Sequence, residues 1–171
     1  MNYLKFKYGM DRLVALFLIL IFFPIILIIS VLIKIKLGSP IFFTQERPGF
    51  KEKKFSLIKF RTMTNRKDIY GKLLKDKFRL TKFGNWLRET SIDEIPTLIN
   101  ILRGEMSFIG PRPLLVEYLN LYSDYERKRH NIKPGLTGLA QIKGRNSISW
   151  KTKFKYDVFY IQKLSFILDI R

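Results

Sequence analysis

Residues 13–33 form a run of 21 residues without a charged side chain, and a proline stands inside it. No other feature limits the fold so sharply. As a helix rising about 1.5 Å per residue, the run matches a bilayer core of roughly 30 Å. Pro24 lacks a backbone N–H and its ring clashes with the preceding turn, so it predicts a kink or a break. A break there leaves pieces of 11 and 9 residues, each about 15 Å long and too short to cross alone. Cations flank both ends: Lys5, Lys7 and Arg12 before the run, Lys34 and Lys36 after it. Positive flanks favour the cytoplasmic side, and here both ends carry them. Two readings stay open: a helix–break–helix that enters one leaflet and returns, and a single kinked spanning helix. A cleavable signal peptide fits poorly, because the run is too long and no small-residue cleavage site follows it.

The remaining chain is strongly basic. With 32 Lys and Arg against 14 Asp and Glu, the 171 residues carry a formal charge of +18. That charge calls for an anionic partner: nucleic acid, lipid headgroups or a phosphorylated substrate. There is no cysteine and a single histidine, His130. Thiolate catalysis, disulfides, cysteine zinc sites and two-histidine metal motifs are therefore excluded. The apolar content is too high for a disordered basic tail.

Hydrophobic spacing gives a mainly α, α+β organisation. Gly38-Ser39-Pro40 closes the membrane element, so residues 1–36 and 37–171 read as two parts. Residues 41–43 begin a short strand, Arg47-Pro48-Gly49 a turn, and residues 54–63 a second strand. Phe55, Leu57, Lys59 and Arg61 share one face of that strand. That face carries charge to the edge of a site, or lysine merely protects an edge strand. Leu80, Phe83 and Leu87 recur at helical spacing. Helices are predicted over 113–129, ending in the basic cluster Arg127-Lys128-Arg129, and over 149–165. Helices rich in Phe, Tyr, Leu and Lys suit an interfacial position or an ordinary core. No βαβ series occurs, which argues against a nucleotide-binding parallel sheet.

The densest chemistry lies at Thr90-Ser91-Ile92-Asp93-Glu94-Ile95-Pro96. Ser91-x-x-Glu94 has the form of a capping box, a purely structural device. A helix start also offers free N–H groups to a phosphate, and it would keep a nucleophilic carboxylate ionised. Arg112, set between Pro111 and Pro113, presents a planar fork on a stiffened backbone, suited to phosphate or to a plain turn. Gly144-Arg145-Asn146 is a weaker anion contact. No P-loop or dinucleotide glycine pattern is present.

Taken together, Arg88-Glu89-Thr90-Ser91-Ile92-Asp93-Glu94-Ile95-Pro96, Asn100, Gly104, Met106-Ser107 and Gly110-Pro111-Arg112-Pro113 closely resemble the signature of bacterial sugar transferases. These are the monotopic polyprenyl-phosphate phosphoglycosyl transferases. Gln45, Arg47, Gly49, Lys59-Phe60-Arg61-Thr62-Met63, Pro134-Gly135-Leu136-Thr137-Gly138, Ala140-Gln141 and Asp157-Val158-Phe159-Tyr160 extend the likeness over nearly the whole chain. The size resembles the family's minimal catalytic form, although similar proteins usually continue past a segment such as Leu168-Asp169-Ile170-Arg171.

The resemblance implies transfer of a sugar 1-phosphate from a UDP-sugar to undecaprenyl phosphate, with release of UMP. An N-acetylated amino sugar such as UDP-diacetylbacillosamine is the expected donor. By the same likeness Asp93 is the nucleophile, and Glu94 positions Mg²⁺ or assists proton transfer, so both are candidate metal ligands. Mg²⁺, a hard cation, suits carboxylates and phosphate oxygens. Arg88, Arg112 and Arg145 become candidate phosphate contacts, with Lys59 and Asp157 as their ion-pair partners. The family also favours the re-entrant reading, with the break at Pro24. Residues 2 and 60 would then both face the cytosol at the bacterial inner membrane, among phospholipids and other enzymes of a glycan pathway. Two further readings stand beside the enzyme. A tethered nucleic-acid-binding module would lose binding steeply with salt, yet no nucleic-acid motif occurs. A non-catalytic scaffold would tolerate alanine at Asp93 and Glu94.

Overall fold

A computed structural model describes residues 2–144 and 147–170. Helix α1, Asn2–Lys36, is followed by strand β1, Phe42–Pro48, and strand β2, Lys54–Phe60, joined by a short 3₁₀ turn. Helices α2, Asp76–Arg79, and α3, Lys82–Glu89, lead to a 3₁₀ turn over Ile92–Thr97 and helix α4, Leu98–Arg103. Strand β3, Ser107–Ile109, is followed by 3₁₀ and short helical turns that include α5, Asp124–Arg127. Strand β4, Gly135–Thr137, and helices α6, Leu139–Gly144, α7, Trp150–Gln162, and α8, Phe166–Ile170, complete the order. The predicted hairpin forms: β1 and β2 pair antiparallel, with Phe43 opposite Lys59. A second pair, β3 with β4, is parallel and had no sequence signal, being three residues long on each side.

Helix α1 is long and apolar enough to cross a membrane by length and composition. Its helical structure continues through Pro24. On the N-terminal side of Pro24, Ala15, Leu18, Ile19 and Phe22 join a cluster with Phe55, Leu57, Leu98, Ile101 and Met106. On the C-terminal side, Ile26, Ile29, Ile33 and Leu37 join Phe60 and Leu87. Pro24 removes one donor from the helix ladder, but both flanks are held on the same globular body. Ile95 packs against both clusters, so the turn that carries Asp93 and Glu94 sits beside the middle of α1. The opposite face, with Leu13, Phe17, Leu20, Phe23, Ile28 and Ile35, is exposed. That is an apolar surface far beyond the scattered exposure of a soluble protein.

Polar contacts fix the start of α1. Lys7 Nζ lies 2.7 Å from Asp169 Oδ2 of α8, and Tyr3 and Tyr160 each donate to the same carboxylate at 2.5 Å. Ser107 Oγ donates to Asp11 Oδ2 at 2.6 Å. Lys7, Asp11 and Ser107 are all buried, and buried charges persist where they are paired and hydrogen-bonded.

Two sequence expectations change. The continuous helix expected over 113–129 is instead a 3₁₀ turn over Val116–Leu121, the short α5 and a further 3₁₀ turn over Lys128–Asn131. Ser123 and Glu126 form a capping box that starts a new helix, which a periodic apolar pattern does not reveal. Strand β2 ends at Phe60, where Arg61 turns its guanidinium onto the backbone carbonyls of Ser39 and Met63. Helix α7 starts where its pattern predicts, with Ser149 as its N-cap, and ends at Gln162, short of the expected residue 165.

Candidate active site

Asp93 and Glu94 occupy the first turn of the 3₁₀ segment Ile92–Thr97. Ser91 before them is in the left-handed region, at φ 57°, and its side chain makes no cap bond. The capping box expected at Ser91 is therefore not formed. Glu94 is instead drawn into the site: its Oε1 accepts from Lys59 Nζ at 2.6 Å and from Arg112 Nη2 at 2.5 Å. Neighbouring packing holds the turn. Thr97 Oγ1 donates to the Ile58 carbonyl at 2.9 Å, and Asn100 receives the Ile58 N–H at 3.0 Å while donating to the Ser56 carbonyl at 2.8 Å. Both side chains are buried. They lock the acidic turn to β2, so Lys59 on that strand meets Glu94.

The adjacent carboxylates differ electrostatically. Burial works against ionisation of Glu94, but Arg112 and Lys59 outweigh it and hold its carboxyl below the usual range. Asp93 is only 8% exposed. Burial pushes its carboxyl above the ordinary value, with Lys59, Arg88 and Arg112 pulling it down and Glu94 pushing it further up. The lowering of its pKa expected from a helix start is not found: the turn is 3₁₀, and burial outweighs the three neighbouring cations. No hydrogen bond among the described residues engages the Asp93 carboxylate, and it opens on a cavity.

Two cavities meet here. One, of about 770 Å³, is lined by Asp93 and Glu94 together with Arg47, Lys59, Arg61, Arg79, Arg88 and Arg112. Six cations against three acids, counting Asp76, make it a receptacle for an anion bearing several charges. The other, of about 780 Å³, has an apolar end at Leu18, Phe22, Leu98 and Phe108, and a polar end at Arg129, Gln141, Lys153 and Asp157. Arg88, Ser91, Glu94 and Arg112 line both.

The cations are positioned separately. Gly84 lets α3 lie directly on the backbone of Thr62, since a Cβ there would come within 1.8 Å of the Thr62 carbonyl oxygen. Arg88, one turn later, donates from Nε to Thr62 Oγ1 at 2.9 Å. Arg112 also donates to the Leu136 carbonyl at 3.3 Å. Asp157 was expected to support Arg88, Arg112 or Arg145. It instead accepts from Arg129, at 3.1 Å from Nε and 2.8 Å from Nη2. Arg129 in turn donates to the Arg112 carbonyl at 2.8 Å, so Asp157 reaches Arg112 through it. Arg129, 4% exposed, was read in the sequence only as part of a basic helix end. Its partner lies 28 positions away, and no local pattern marks such a pair. Arg145 lies outside the described residues.

The family model described as bacterial sugar transferase matches residues 2–171. The chain belongs to that family. Several relatives agree with this assignment. The uncharacterized sugar transferase EpsL of Bacillus subtilis (strain 168) is 51% identical over 161 residues, covering 94% of this chain and 80% of the relative. The UDP-glucose:undecaprenyl-phosphate glucose-1-phosphate transferase of Xanthomonas campestris pv. campestris is 35% identical over 172 residues, 94% of this chain and 36% of the relative. The UDP-N-acetylgalactosamine-undecaprenyl-phosphate N-acetylgalactosaminephosphotransferase of Aeromonas hydrophila is 34% identical over 176 residues, 98% of this chain and 42% of the relative. The transferase is thus an enzyme, and the module and scaffold readings give way.

Proposed function

We propose that this transferase moves a sugar 1-phosphate from a UDP-sugar to undecaprenyl phosphate through a covalent phosphosugar intermediate on Asp93. One observation carries the proposal: the Asp93 carboxylate is largely buried, lacks a hydrogen-bond partner among the described residues, and faces a cavity rimmed by cations. A carboxylate desolvated in this way is held for reaction rather than for structure. Its oxygen attacks the sugar-bearing phosphorus; the bond to the UMP oxygen breaks and UMP leaves with that electron pair. The lipid phosphate then attacks the same phosphorus and releases the carboxylate. The sugar C1–O bond is never touched, so anomeric configuration is retained.

The cationic cavity suits the diphosphate. Arg88 and Arg112 bind its oxygens, and Glu94 holds Lys59 and Arg112 in register. Asp93 and Glu94 fit Mg²⁺ as it is usually bound, by one or two carboxylates plus substrate phosphates. That ion supplies neutralisation of phosphate charge when bound. Asp93 and Glu94 would be its protein ligands, with substrate phosphates supplying the others. The donor to test first is an N-acetylated amino sugar, UDP-diacetylbacillosamine included.

The lipid acceptor places this chemistry at a membrane. Both flanks of Pro24 rest on one globular body, which supports a helix that returns to the side it entered. The reading puts that body, residues 37–171, on the cytosolic face of the inner membrane. Because the chain has no cysteine, single cysteines at the exposed positions Lys5 and Lys72 report topology cleanly. Both are expected to react from the cytosolic side; reaction of position 5 from the opposite side contradicts a returning helix. The reaction itself is tested by UMP release over a panel of UDP-sugars, with and without undecaprenyl phosphate and Mg²⁺. Release that ignores the lipid and the metal alike, or no release from any UDP-sugar, contradicts the proposal.

A further inference from the structure

Gln141 lines the larger cavity, and both polar atoms of its side chain, Nε2 and Oε1, are buried without a hydrogen-bond partner among the described residues. An amide left so is costly, and native structures rarely keep one without a reason. The backbone sets it there. Gly138 lies against Gly110 so closely that a Cβ would meet the Gly110 carbonyl oxygen at 2.1 Å. Gln141 N–H closes the first turn of α6 onto the Gly138 carbonyl at 3.0 Å. The carboxamide offers one donor and one acceptor side by side. Its complement is a ligand edge with an acceptor beside a donor.

The same cavity is walled by Trp150, whose half-exposed indole stacks on Phe154 at 5.9 Å with 29° between planes. Indole faces receive flat rings. Arg112 connects this end to the acidic turn: it donates to the Leu136 carbonyl, five residues before Gln141, and to Glu94. Arg88 and Arg112 line this cavity and the one holding Asp93. A base at Gln141 and Trp150 would therefore leave its diphosphate on those two arginines, pointing toward Asp93. A hydrocarbon chain at the same end would leave both amide atoms unsatisfied; the apolar end at Leu18, Phe22 and Phe108 suits hydrocarbon better.

We infer that Gln141 and Trp150 form the nucleobase subsite of the donor, with the Gln141 carboxamide pairing with the imide edge of uracil. The inference rests on the transferase reading for its donor, yet it is tested without turnover. UMP binding to the full chain in nanodiscs is measured by calorimetry, with ribose 5-phosphate as the base-free probe. Gln141→Leu is expected to weaken UMP about ten-fold or more and to leave ribose 5-phosphate unchanged. Gln141→Glu, which keeps the size but loses the donor, should weaken UMP similarly if the leucine variant unfolds. Transfer from pre-labelled enzyme to undecaprenyl phosphate should be unaffected, since the uridine has already departed. UMP binding unchanged in both variants overturns the subsite. So does an equal loss of UMP and ribose 5-phosphate, or a loss confined to undecaprenyl phosphate. A wild-type protein that turns over no UDP-sugar, but whose UMP affinity still falls in the variants, refutes the reaction and keeps the subsite.

Discussion

Asp93 and Asp157 are both buried aspartates, each near an arginine, and burial raises the pKa of each. Their surroundings divide them. Asp157 takes two hydrogen bonds from Arg129, and that arginine also bonds Tyr122 and the Arg112 carbonyl. Asp93 has three cations nearby, and none bonds it. A satisfied buried pair holds a fold in place, whereas an unsatisfied carboxylate on a cavity is held ready for a ligand. The same contrast separates the Lys7–Asp169 pair, buried and fully bonded, from Lys59 and Arg112, whose partner Glu94 leaves them facing the cavity.

Substitution should sharpen that division. Asp93→Asn is expected to abolish transfer, by a factor of roughly a thousand or more, while thermal unfolding stays near wild type. Asp157→Asn should do the reverse first: a buried guanidinium left unpaired costs about 3–5 kcal/mol of stability, read as a lower unfolding midpoint, with activity falling along with folding. If Asp157→Asn leaves the midpoint unchanged, the pair is not structural. Glu94→Gln comes next. It keeps the shape but loosens Lys59 and Arg112, and activity should fall about 100-fold, with the larger share in kcat if the two cations act on the transition state.

The smallest effect concerns His130. Burial, reinforced by Arg129, lowers its pKa from 6.5 to about 4. The unfolded chain therefore binds a proton between those values that the folded chain does not. Stability is fully present above pH 6.5 and falls as pH drops toward 4, by about 1.4 kcal/mol at pH 5.5. His130→Gln should flatten this slope in unfolding measured from pH 7 to 5. An unchanged slope would mean that another group sets it.

Much of the frame could be read from residues alone, for definite reasons. The two-residue period of Phe55, Leu57 and Lys59 marks β2 because one face of a hairpin is buried. Apolar spacing marks the start of α7 at Ser149, and the structure adds that its hydroxyl closes a free N–H there. Other features depend on groups far apart in the chain. The helix expected from 113 to 129 breaks at Ser123, where a capping box outweighs apolar periodicity. Ser91 reads as a cap, yet it is left-handed, because Glu94 gains more from Lys59 and Arg112 than from the local N–H. Arg129 was legible only as part of a basic helix end and Gln141 only as part of a family motif: the first is defined by Asp157 and the second by the lack of a partner among the described residues. Pro24 signals a break in isolation; the helical structure continues through it, and both flanks pack on the same body.

The most direct measurement is to trap the intermediate. The protein is mixed with a UDP-sugar and Mg²⁺ without undecaprenyl phosphate, quenched, digested and weighed by mass spectrometry. The expected result is one phosphosugar added to the peptide containing Asp93, absent from Asp93→Asn and discharged by undecaprenyl phosphate. An adduct on another residue, or full transfer by Asp93→Asn with no adduct at any time, would contradict a reaction carried by that carboxylate.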